Sequence, residues 1–255
     1  MMYLKAALGL IPRPRPAQLP EAELSKVVQV DQAHLNEYQR VCGYRRDTRL
    51  PCAYPHILAF DLQMSLMTRN DFPFPVVGLV HIANRIEQAH ALTADDELTI
   101  TVKTQNLRDH PRGKQFDIVT TTAQGWQEVS TYLKITKQAE KEPREKAEPP
   151  VPHAIWRFTE SKSYARVSGD HNPIHTSVIG ARLFGFPRPI AHGMFTMARC
   201  LGALEPRLPE QLTVDVSFKL PVLLPAKTAF RYSHNEFTLT DRQTGKPHLS
   251  GRISA

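Results

Sequence analysis

Two successive stretches of this chain carry the same order of apolar and polar positions. YQRVCGY, Tyr38 to Tyr44, matches YARVSGD, Tyr164 to Asp170, at four of seven positions. An apolar helical run follows each: PHILAFDLQMSLM at Pro55 to Met67 and AHGMFTMARCLGAL at Ala191 to Leu204, both starting near a histidine. The period then changes to two. VHIANRIEQAHALTADDELTITV and VDVSFKLPVLLPAKTAFRY alternate β-branched or aromatic residues with polar ones, which predicts two strands around a turn in each copy. FDIVTTTAQGWQEVSTYLKI and FTLTDRQTGKPHLSGRI each predict a hairpin with a glycine, Gly125 or Gly245, at the turn.

An apolar helix needs a sheet to cover it, so each copy reads as an antiparallel sheet packed on one face by a helix, an α+β arrangement. Between the copies, residues 138–155 (QAEKEPREKAEPPVPHAI) are rich in charge and proline and poor in large apolar side chains, the signature of a linker. The pattern therefore divides the chain into 1–137, a linker at 138–155 and 156–255.

The copies differ in one place. Asp170 to His192 spans 22 positions, whereas Tyr44 to His56 spans 12, and Tyr44 stands where Asp170 would be. The extra residues include SGDHNPIH, Ser168 to His175. Because the first copy lacks this loop, the fold does not require it. Pro173 fixes its own φ and pushes Asn172 toward extended geometry, so the loop is stiff. Asp170 and His175 can then converge on one water as an acid/base pair, with Asn172 holding the carboxylate through its amide. Gly193 begins the second apolar helix, where N–H groups lack acceptors and carry partial positive charge; glycine lets an ester or thioester oxygen approach them.

Other groups read as structural. His192 reads as a capping or core histidine, and Cys200 as a packed thiol inside the apolar helix. Ser168 has no adjacent base to make it a nucleophile. A metal site from Asp170, His171 and His175 is disfavoured, because Pro173 breaks the helix that would align the histidines. No metal or redox cofactor is expected.

At 255 residues, 41% hydrophobic and 22% charged, the composition is that of a soluble globular protein. Three cysteines, Cys42, Cys52 and Cys200, give neither a disulfide framework nor zinc spacing and suit a reducing, cytoplasmic compartment. The N-terminal apolar run is too short to span a bilayer and runs into Pro-Arg repeats rather than a cleavage site. The net charge of +7 comes from scattered Lys and Arg without interleaved aromatics, which argues against nucleic acid and fits either a phosphate-bearing or acidic partner or a generally basic surface with no specific partner.

Tyr164 to Met194, followed by TVDVSFKLPVLLP, resembles the MaoC-like (R)-specific enoyl-CoA hydratases, or hydratase 2, through the pattern Y-x-x-x-S-G-D-x-N-P-I-H … GF-x-x-x-I-A-H-G-M. The first copy resembles the degenerate half of the double-hotdog members. The resemblance implies a hotdog in each half, a curved antiparallel sheet wrapped around a long helix. It implies that Asp170 and His175 bind and activate the catalytic water, that Asn172 supports them, and that Gly193 N–H receives the thioester oxygen. CoA or the pantetheine of an acyl carrier protein would belong to the substrate, with Arg182, Arg188 and Lys219 as candidate phosphate contacts. Loss of the loop from the first half would free room for medium or long acyl chains. A serine common in the family's central helix is absent near Leu201, and His171 adds a titratable group. The chain would be a pseudo-dimeric monomer or a homodimer. The rival readings are a hotdog thioesterase, which would want a carboxylate on a central helix that has none, and a non-catalytic acyl-binding scaffold.

Overall fold

The computed structural model describes residues 14–137 and 151–255. Most of the linker, and the whole N-terminal apolar run, lie outside these residues. Ala154 and Ile155, at the linker's end, already belong to a strand.

Among the described residues ten strands form one antiparallel sheet in the order β1-β3-β4-β5-β2-β7-β10-β9-β8-β6. The first half supplies β1 (Glu23–Gln29), β2 (Leu79–Gln88), β3 (Glu97–His110), β4 (Gly113–Thr122) and β5 (Trp126–Ile135). The second supplies β6 (Ala154–Phe158), β7 (Leu212–Phe218), β8 (Ala226–Ser233), β9 (Glu236–Asp241) and β10 (Pro247–Ser254). The two orders mirror each other about the β2–β7 seam, which runs from Ala83 opposite Ser217 to Gln88 opposite Leu212. This is a double hotdog.

The hairpins at Gly125 and Gly245 form as expected, with φ of +78° and +68°. The expectation of two strands around a turn needs correction. β2 and β3 are consecutive but not paired, since β4 and β5 lie between them in the sheet; β7 and β8 are separated by β9 and β10. Alternation tells which face a side chain occupies, not which strand is its neighbour.

The helices repeat as well. α1 (Gln32–Cys42) is capped by Asp31, whose Oδ1 accepts from Ala33 N–H at 2.7 Å. It ends at Gly43, as α4 (Lys162–Ser168) ends at Gly169, both glycines being left-handed with φ of +77° and +74°. The repeat-related Tyr38 and Tyr164 are both buried, with ring centroids 6.4 Å apart across the halves. The first central helix is split into α2 (Tyr54–Leu58) and α3 (Phe60–Met67). In the second half, α5 (Pro173–Thr176) and α6 (Val178–Leu183) precede the unbroken central helix α7 (Gly193–Leu204). Leu201 and Cys200 on α7 are fully buried in a core that runs through both halves.

Gly202 sets the approach of α7 to the first half. A Cβ there would lie 2.8 Å from the carbonyl oxygen of Cys42, which is backbone and has little room to yield. Gly202→Ala should therefore destabilise the protein by about 1–3 kcal/mol; an unchanged urea midpoint would contradict this packing.

Candidate active site

The loop after α4 is shaped by local hydrogen bonds. Asp170 Oδ1 accepts from the backbone N–H of Asn172 at 3.1 Å, and Asn172 Oδ1 accepts from Ile174 N–H at 3.2 Å. Asn172 (φ −52°, ψ 125°) is thus the N-cap of α5, with Pro173 in the first helical position. Asn172 does meet the carboxylate, but through its main chain. Its side-chain oxygen is used for the cap.

α5 carries His175 back toward the start of α7. His175 Nδ1 donates to the carbonyl of Ile190 at 2.8 Å. A carbonyl can only accept, so Nδ1 holds the proton and Nε2 keeps a lone pair. The His175 ring stacks on that of His192, with centroids 3.7 Å apart. A carboxylate oxygen of Asp170 and one ring nitrogen of each histidine all lie within 4.8 Å of one another.

His192 is the structural member of this trio, as the sequence suggested. It is 3% exposed, and both ring nitrogens are engaged. Nε2 donates to the main-chain carbonyl of Asp170 at 2.9 Å, and Nδ1 accepts from Ser161 Oγ at 2.6 Å. Burial, reinforced by the neighbouring His175, drops its pKa to about 3. At neutral pH it is uncharged, so its 3.7 Å approach to the Asp170 carboxylate is not an ion pair. Burial also lowers the pKa of His175, while the Asp170 charge and the Ile190 carbonyl act the other way.

Three such groups also invite a metal reading. The hydrogen bonds argue against it: neither nitrogen of His192 has a lone pair to spare, which leaves Asp170 and His175, one ligand short of a catalytic zinc set. His171 is exposed.

Gly193 is the first residue of α7, and its N–H is among the initial ones with no acceptor inside the helix. A Cβ at Gly193 would come within 3.2 Å of Phe218 Cε1. Phe218 in turn packs on His81 of the first half, at 4.9 Å between centroids, and His81 stacks on Tyr132 at 4.7 Å. The hydroxyl of Tyr132 has its pKa raised by burial and by the charges of Glu128 and Asp170. The first half therefore presents His81 and Tyr132 toward the start of α7 and the loop that carries Asp170.

Arg182, Arg188 and Lys219 are exposed, and none is in an ion pair among the described residues. They are not drawn into the Asp170–His175 cluster. Sequence reasoning missed Ser161, Tyr132 and His81. Ser161 carried only the faint signal of a serine just ahead of a helix.

A family model described as "MaoC like domain" matches residues 135–249. The chain is 38% identical to 3-hydroxyacyl-thioester dehydratase X of Mycobacterium tuberculosis over 98% of its own length and 95% of that protein. This chain belongs to the MaoC-like hydratase and dehydratase family. The crystal structure of HtdX from M. tuberculosis superposes with a TM-score of 0.81 at 36% identity, over 91% of this chain and 99% of that one. The (R)-specific enoyl-CoA hydratase of Aeromonas caviae is 34% identical over 32% of this chain and 70% of its own. No helix among the described residues is long and apolar enough to cross a membrane.

Proposed function

We propose that the enzyme interconverts trans-2-enoyl and (3R)-3-hydroxyacyl thioesters in the cytoplasm, with water activated between Asp170 and His175. The observation that carries this reading is the His175 tautomer. The Ile190 carbonyl holds the proton on Nδ1, so the lone pair of Nε2 is available as a base. A water hydrogen-bonded at about 2.7–3.0 Å to each group spans a gap of the size seen here.

In the hydration direction, Gly193 N–H and the start of α7 polarise the thioester carbonyl, which makes the β-carbon electrophilic. Water adds to that carbon and gives up one proton to the Asp170–His175 pair. The α-carbon takes a proton from the same face. The backbone N–H of Asn172 holds Asp170, while His192, fixed by Ser161, supports the His175 ring. The reaction balances without a redox partner or resident metal. The thioester is carried by CoA or by an acyl carrier protein, whose phosphates suit Arg182, Arg188 and Lys219.

Hydrolysis is disfavoured, because α7 from Gly193 to Leu204 carries no carboxylate to activate water at the thioester carbon. The first half, with Tyr44 buried in place of an aspartate and no second loop, favours medium or long acyl chains.

Loss of the conjugated thioester absorbance of trans-2-enoyl-CoA, measured from four to twelve carbons, tests this. We expect turnover to persist or rise beyond eight carbons, giving the (3R) alcohol. Collapse beyond four carbons would remove the chain-length assignment. Release of free thiol without hydration would favour the thioesterase.

A further inference from the structure

The catalytic insertion continues past His175 into α6, and one side of α6 faces solvent with apolar side chains. Val178, Ile179, Leu183 and Phe184 are 48%, 74%, 77% and 36% exposed. The buried side is made of Gly180 and Ala181. A Cβ on Gly180 would meet Pro173 Cβ at 2.4 Å, so α6 lies flat against the first residue of the helix that bears His175. The chain then folds back, Phe186 N–H donating to Ala181 O at 2.9 Å, and brings Arg188 after Arg182 on the same excursion. No aspartate or glutamate occurs from His171 to Leu204.

An exposed apolar ridge of this kind on a soluble enzyme marks a protein contact. Arg182 and Arg188 would serve the phosphates of either carrier, but a free nucleotide thioester would also need a concave seat. It has no use for isoleucine and leucine standing three-quarters in solvent. The two charged side chains carried by this excursion, Arg182 and Arg188, are both basic and exposed, which selects an acidic surface. We infer that α6, through Ile179 and Leu183 flanked by Arg182 and Arg188, is the docking surface for an acidic acyl carrier protein that delivers the thioester to Asp170 and His175. The inference rests on the hydration proposed above and names which carrier brings the substrate. Because α6 packs on Pro173, the carrier would sit directly behind the catalytic loop.

The test compares one trans-2-octenoyl group on two carriers: CoA and an isolated acidic acyl carrier protein. Ile179→Ser and Leu183→Ser alter only the exposed side of α6. Combined, they should raise KM for the carrier-protein substrate by about tenfold or more, the effect of removing one or two anchoring side chains. They should leave kcat/KM for the CoA ester within about twofold, since exposed substitutions rarely perturb the fold. Equal losses on both substrates, or none on the carrier protein, would overturn the docking surface while hydration stands. So would a wild type that turns over the CoA ester and ignores the carrier protein. A wild-type dimer in sedimentation that dissociates on these substitutions would show that the ridge is covered by a second copy, which also overturns it. Inactivity of wild type on both esters would instead remove the hydration reading itself.

Discussion

His175→Ala should lower kcat/KM for a trans-2-enoyl thioester by about 10²–10⁴-fold, the range for loss of a positioned acid/base group. Asp170→Asn should fall in the same range. It keeps an oxygen to accept from Asn172 N–H and so preserves the turn, removing only the charge. If the two groups act on one water, as proposed, the double variant should be little worse than either single one. The pH profile gives an independent check. Burial holds the His175 pKa below its ordinary 6.5, and the proposed base is the neutral ring. The acid limb of kcat/KM should therefore lie below pH 6.5, with activity lost as pH falls through the folded value. Single variants within fivefold of wild type would sink the assignment, and so would a limb above 6.5.

The second large effect concerns stability. Glu128 on β5 is fully buried; its Oε2 lies 2.8 Å from His56 Nδ1, and its Oε1 accepts from Asn84 Nδ2 at 2.7 Å. Burial alone would raise its pKa, but His56, the Asn84 amide and His81 outweigh that and lower it, so the group is a carboxylate. Glu128→Ala strands the donors of His56 and Asn84 in the core and should cost about 3–5 kcal/mol by urea denaturation at pH 7. Glu128→Gln keeps an acceptor and should cost less. A folded pKa below the usual 4.5 means that this contribution is complete above pH 4.5 and is lost as pH falls through the folded value. The gap between wild type and Glu128→Ala should therefore narrow in acid. Coincident denaturation curves at pH 7 would refute the role assigned to this carboxylate.

His56 and His192 show how the copies diverged. Both stand near the start of a central helix and both are buried. His56 meets a carboxylate from its own half, whereas His192 is held between Ser161 and the loop that carries Asp170. The first copy thus kept a polar core and lost the loop. Arg85 and Asp215 form an ion pair across the seam at 2.8 Å, but both are half exposed, so the joint depends on the β2–β7 ladder and the shared core rather than on that pair.

Much of this could be read directly from the chain. The repeat, the helix-then-strand succession, the glycine turns and the stiff loop are local properties. A period of 3.6 or 2, a proline or a glycine acts within a few residues of itself. The closeness of Asp170 to His175 was visible for the same reason, because they lie five positions apart with one proline between them. Tertiary structure decided what depends on distant partners. The neighbours of β2 and β7 are chosen by sheet packing, so β2 and β3, and likewise β7 and β8, proved not to be adjacent. The proton position on His175 is set by a carbonyl fifteen residues away, and the tautomer of His192 by the Asp170 carbonyl twenty-two residues away. Glu128 is buried because His56, seventy-two residues before it, is there to receive it. Burial and hydrogen-bond partnership are properties of the folded surroundings, and they turn a sequence of candidate groups into an imidazole with a free lone pair, a buried support and a structural carboxylate.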